Sequence, residues 1–98
     1  MIRHAALFRL KESKGTAGER DFLAALAALG TLPGVEDFEI AREISPKNPY
    51  DYTVSMRFAD QAAYAAYDSH PAHVAFVQTL WIPQVAEFME HDTVAMDL

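Results

Sequence analysis

The side chains best equipped for chemistry in this sequence are His4 near its start, Tyr67 and His73 six residues apart, and Asp97 at its end. An imidazole titrates at about 6.5 and accepts a proton near neutrality, while a phenol, at about 10, donates a hydrogen bond to an oxyanion as it forms. A carboxylate can fix which imidazole nitrogen carries the proton. Together these groups suit proton abstraction beside a carbonyl. Each also has a plainer use. A histidine on an apolar helix stripe is commonly a hydrogen-bonded core residue, and a buried tyrosine commonly packs its ring with the hydroxyl at the rim. His4 would fit the edge of a polar pocket, and Asp97 alternates with Val94 and Met96, which leaves its direction toward His73 open.

Other combinations are weaker. His70 and His73 at i, i+3 would reach one metal ion with His4 or Asp97, but Pro71 between them favours a helix cap at His70 and a core role at His73, so no metal is expected. No cofactor is expected either, because glycine-rich phosphate loops, a Walker lysine and a serine elbow are all missing. Tyr64, Tyr67, Phe76 and Trp81 read as a core stripe before a stacking platform.

The elements that must position these residues follow from hydrophobic periodicity. Ile2 to Leu10 alternates as a strand. Thr16 and Glu19 have capping-box spacing ahead of Phe22, Leu23, Leu26 and Leu29, which predicts a helix over about 17–29 closed by Gly30. After the Leu32-Pro33-Gly34 turn, Phe38, Ile40 and Ile44 alternate in a second strand, and Ser45–Pro49 is a proline-bearing loop. Tyr52, Val54, Met56 and Phe58 form the apolar face of a third strand. Asp60 caps QAAYAAYD. A further helical stretch starts at Pro71 and carries His73, Phe76, Val77, Leu80 and Trp81 on one stripe. Pro83 kinks it, Val85, Phe88 and Met89 continue an apolar helical face, and TVAMDL (93–98) is the last strand.

This order predicts an α+β, ferredoxin-like βαββαβ domain spanning 1–98, with an antiparallel sheet in the order 4-1-3-2 and both helices on one face. The topology brings His4, Tyr67, His73 and Asp97 to one end of the space between helices and sheet. Phe8, Phe22, Leu26, Val54, Phe76 and Trp81 would wall a pocket for an apolar or aromatic small molecule.

Composition excludes more than it identifies. Ninety-eight residues, 51% hydrophobic, suffice for one core. Six more acidic than basic residues, with no basic stripe, argue against a nucleic-acid partner. The absence of cysteine rules out disulfides, thiolate zinc sites and a cysteine nucleophile. With neither a signal-like start nor a long apolar run, a soluble cytoplasmic chain with no membrane partner is expected. Apolar residues on both sides of the strands, such as Ala5 and Leu7 against Phe8 and Leu10, favour a homodimer packed sheet to sheet as an α+β barrel.

The segments MIRHAALFRLKE, LPGV, SPKN, YDYTVSMRF, YDSHPAHVAF and the terminal MDL resemble the stress-responsive A/B barrel domain (Dabb) family over nearly the whole chain. HPAH with a phenylalanine three residues later is the most specific of these. The resemblance implies a ferredoxin-like fold that dimerises through its sheets. It also implies, from a branch of plant polyketide cyclases, an aldol cyclisation in which Tyr67 and His73 act, with His4 and Asp97 at the matching positions. Tyr52 stands where those enzymes have a histidine, Leu23 and Leu26 replace aromatic residues, and the connection 83–92 is longer.

Three readings are compatible with these residues. One is a stress-response-type dimer whose pocket binds a small molecule or runs a lyase-, isomerase- or cyclase-like reaction. There His73 is the base, Tyr67 the hydrogen-bond donor, Asp97 the orienting group and His4 a closing residue. The second is a non-catalytic dimer whose polar residues serve the fold, and the third, resting on fold analogy, is cofactor-free oxygenation.

Overall fold

The computed structural model describes residues 1–98. Its elements are β1 (Ile2–Leu10), α1 (Ala17–Ala28) with a 3-10 turn at Leu29–Thr31, β2 (Glu36–Arg42), β3 (Tyr52–Phe58), α2 (Gln61–Asp68), α3 (Pro71–Phe76), α4 (Ile82–Gln84) and β4 (Val85–Val94). Between α3 and α4 the helix widens into a π turn at Val77–Trp81. Pro83 has no N–H to offer the carbonyl four residues back, and the wider turn accommodates that loss. The four strands form one antiparallel sheet in the order β2-β3-β1-β4, the ferredoxin-like order.

Local chemistry sets the element boundaries. Thr16 caps α1 by accepting from the Glu19 N–H at 3.2 Å. The Glu19 carboxylate does not complete the box; it takes the Gly15 N–H at 2.8 Å and the hydroxyl of Tyr52, tying the start of α1 to β3. Gly15 has φ +83°, a left-handed conformation that glycine adopts without strain. Asp60 accepts from the Ala63 N–H at 2.9 Å, and His70 Nδ1 accepts from the Ala72 N–H at 3.0 Å with Pro71 in the first turn. The helix-cap role expected of His70 is thus what it performs.

The helices cover one face of the sheet. Phe8, Phe22, Met56 and Phe58 are its most deeply buried side chains, joined by Leu26, Val54, Tyr52 and Phe76. Burying rings and chains of this size contributes on the order of 2 to 3 kcal/mol each. Phe8 is central, with ring centroids 5.2 Å from Tyr52, 5.8 Å from Phe22 and 5.0 Å from Trp81.

Two expectations need correction. Ile44 lies beyond β2 and is 88% exposed. The last strand is Val85–Val94 and not 93–98; Asp97 falls in the irregular, exposed residues that follow it. The cause is a bulge. Leu10 pairs with Val85 but Arg9 with Glu87, so Ala86 is an extra residue in β4. Val85 and Phe88 consequently face the helices at a spacing of three, which imitates a helical stripe.

Candidate functional site

Between the helices and the covered face of the sheet lies a cavity of about 490 Å³. β1 contributes His4 and Ala6, β3 contributes Val54 and Met56, and Leu26 of α1 and Leu29 of the 3-10 turn after it close it. Tyr67 and Asp68 at the end of α2, the helical run from His73 to Ile82, and Val85, Phe88 and Glu90 of β4 complete the wall. The exposed Asp68, Ile82, Phe88 and Glu90 mark its mouth. Of the six apolar residues expected to wall a pocket, Leu26, Val54, Phe76 and Trp81 do so, while Phe8 and Phe22 are packed in the core and do not line it.

The last turn of α2 sets Tyr67, and the first turn of α3 sets His73 against it. Their ring centroids are 4.5 Å apart. Tyr67 is 3% exposed, yet its hydroxyl has no hydrogen-bond partner within the chain and is not sealed off. Burial, with the Asp68 carboxylate nearby, pushes this phenol above its ordinary titration range and keeps it a donor. His73 Nδ1 lies 2.9 Å from the carbonyl oxygen of Asp68. A carbonyl only accepts, so Nδ1 carries the proton and the lone pair of neutral His73 is on Nε2.

His4 occupies the same cavity from β1. Its Nδ1 is 2.6 Å from Asp92 Oδ1, and the Tyr64 hydroxyl donates to Asp92 Oδ2 at 2.9 Å while lying 3.1 Å from the same Nδ1. The carboxylate again assigns the proton to Nδ1. Tyr64 stacks on Phe58 at 5.1 Å between centroids; burial and then the bond to Asp92 push its pKa up. His4, Tyr64 and Asp92 therefore form one closed polar network.

The structure brings together three of the four residues the sequence singles out. Asp97 is separate: it lies past the end of β4, exposed, and makes no bond to His73. The orienting acceptor for His73 is the Asp68 carbonyl, and the carboxylate at this end of the sheet is Asp92, directly opposite His4 in the β1–β4 register. Asp92 was accessible from the His91-Asp92 pair only once the Ala86 bulge is known. Tyr64, read as core, is the other participant the sequence did not single out. Nδ1 of both His70 and His73 is engaged by backbone, from the Ala72 N–H and to the Asp68 carbonyl respectively. No group of three metal-ligating side chains is assembled.

Comparison with known proteins places this arrangement. Residues 2–97 match the Stress responsive A/B Barrel Domain family. The structure is similar to a crystal structure of a Dabb family protein with a ferredoxin-like fold from Mesorhizobium loti: TM-score 0.95 and 46% identity, covering 98% of this chain and 97% of that one. A dimeric ferredoxin-like protein of unknown function from Thermobifida fusca aligns with TM-score 0.79 and 23% identity over 96% of this chain and 90% of that one. The hydroxynitrile lyase of Passiflora edulis shares the fold at TM-score 0.85 with 13% identity, over 99% and 94% of the two chains. No helix is long and apolar enough to cross a membrane. A sequence match over all but the terminal residues, joined to the same fold, means that the chain belongs to the stress-responsive A/B barrel domain (Dabb) family.

Proposed function

We propose that this chain is a homodimer in which each protomer's cavity binds an apolar carbonyl compound and moves a proton on it. His73 Nε2 takes the proton from the carbon beside the carbonyl, and Tyr67 donates to the carbonyl oxygen as it becomes an enolate. His4, held by Asp92, closes the polar end. The carrying observation is the Tyr67 hydroxyl: on a side chain 3% exposed, it faces the cavity unpartnered beside His73. The hydroxyl is spent on no bond within the protein and opens on the cavity that His73 also lines, so it is free to bond a ligand there. The largely apolar wall lowers the local dielectric and strengthens such a bond when substrate fills the space.

Aldol closure of a polyketide and the lyase chemistry named for the Passiflora protein are two reaction types that the fold could serve. The dimer rests on the uncovered sheet face, where Ala5 and Leu7 of β1 lie beside the half-exposed Met89 of β4, and on the dimeric Thermobifida neighbour.

The test is exchange of the α-hydrogens of 1-phenylpropan-2-one in D2O, followed by proton NMR. Exchange should exceed that of the same concentration of free imidazole and saturate with ketone. It should fall on the order of 100-fold in His73→Ala. A rate equal to imidazole's, or one indifferent to His73→Ala and Tyr67→Phe, would overturn the proposal.

A further inference from the structure

The charges around the cavity are of one sign. None of its lining residues is a lysine or arginine, whereas Asp68 and Glu90 stand exposed at its mouth and Asp92 lies behind His4. The asymmetry extends through the chain: from Phe58 to Leu98 there is no basic side chain other than histidine, while Asp60, Asp68, Glu87, Glu90, Asp92 and Asp97 all fall there. The basic residues are elsewhere. Arg3, Arg9 and Arg57 belong to the opposite face of the sheet, where Arg9 pairs with Glu87 at 3.2 Å and Arg57 lies 3.6 Å from Asp37. Lys14 is engaged by Asp51 at 3.1 Å, and Arg42 lies over the Tyr52 ring.

Inside the mouth the wall is aromatic. Trp81 meets Phe88 edge to face with centroids 5.5 Å apart, and Phe76 lines the same space. Ring faces attract cations, and carboxylates at the entrance raise the local concentration of positive ligands while repelling negative ones.

We infer that the cavity takes apolar ligands whose polar end is basic or uncharged, and selects against carboxylates, with Asp68 and Glu90 acting as the charge filter at its mouth. This rests on reading the cavity as a ligand site, with the unpartnered Tyr67 hydroxyl as the independent sign of one. A chain-end carboxylic acid or a thioester with an anionic carrier left outside the mouth would enter poorly; an aryl ketone, alcohol or amine would enter freely.

Three naphthalene probes of equal size test it: 2-naphthylmethylamine, 2-naphthylmethanol and 2-naphthoate. Affinities are measured by NMR at pH 7.5 and low salt, following the single indole N–H signal of Trp81 in the full chain. The amine should bind about tenfold tighter than the carboxylate, with the alcohol between, a ratio fitting one or two charges at several ångströms in partly screened surroundings. The ratio should shrink toward one in Asp68→Asn/Glu90→Gln and in high salt. Naphthoate binding as tightly as the amine, or a ratio unchanged by the double substitution, overturns the charge filter and leaves the ligand site standing. Failure of all three probes to move the Trp81 signal overturns both together.

Discussion

His4 and Asp92 lie directly across from each other on β1 and β4 and are joined through Nδ1 and Oδ1 at 2.6 Å. His73 is held in the same way by the Asp68 carbonyl, whereas His70 uses Nδ1 as an acceptor for its helix cap. The acceptors dictate the tautomers: Nδ1–H for His4 and His73, Nε2–H for His70. Long-range proton–nitrogen NMR at pH 8 should show that division. Asp92→Ala should release His4 to a tautomer mixture and leave His73 as it was; an Nε2–H tautomer at His73 would remove the proposed base.

Tyr67→Phe deletes a hydroxyl that bonds nothing in the protein. Its unfolding free energy should stay within about 0.5 kcal/mol of the parent, because no hydrogen bond is lost and no cavity is created. Phe22→Ala, at a core ring 1% exposed, should cost about 3 to 5 kcal/mol in the same urea experiment. A cost above 1 kcal/mol for Tyr67→Phe would assign the hydroxyl to the fold.

Acid should weaken the junction of α1 with β3. The bond from Tyr52, and then the Gly15 N–H, hold the Glu19 carboxyl below its ordinary value of 4.5. Glu43 is lowered as well, chiefly by the Ser45 N–H. A carboxyl depressed in the folded state stabilises fully above its unfolded value and loses that contribution as pH falls through the folded one. Urea midpoints should therefore hold between pH 7 and 5 and decline below about 4.5, and Glu19→Gln should flatten the decline. Parallel profiles for parent and variant would show that Glu19 contributes nothing to it.

Much of the fold was legible because local signals agreed. Alternation in β1 and β3 and side-chain caps at Thr16, Asp60 and His70 place those elements almost to the residue. With the right-handed crossover rule they also give the strand order. The site was legible where it sits on those elements: His4, Tyr67 and His73 line one cavity. The acidic partner was not, because the Ala86 bulge gives Val85 and Phe88 helical spacing and moves the strand eight residues earlier than TVAMDL. Nor does any sequence pattern say that the Glu19 carboxylate turns away from its capping box toward Tyr52.

Leu7 lies on the uncovered face between Thr53 of β3 and Met89 of β4, among the residues a second sheet would meet. Sedimentation at micromolar concentration should give twice the chain mass for the parent protein. Leu7→Arg should shift it to the mass of one chain while keeping the far-ultraviolet spectrum, since an unpaired buried charge is costly at an interface. A parent protein of single-chain mass would contradict the homodimer.

NMR titration with 1-phenylpropan-2-one shows whether the cavity beside Tyr67 and His73 receives a small apolar molecule. Saturable shifts are expected at the Trp81 indole and the His73 ring, with Arg3 and Arg57, which face each other across β1 and β3 on the opposite side of the sheet, unmoved. Shifts confined to that opposite face, or none up to the solubility limit of the ketone, would contradict it.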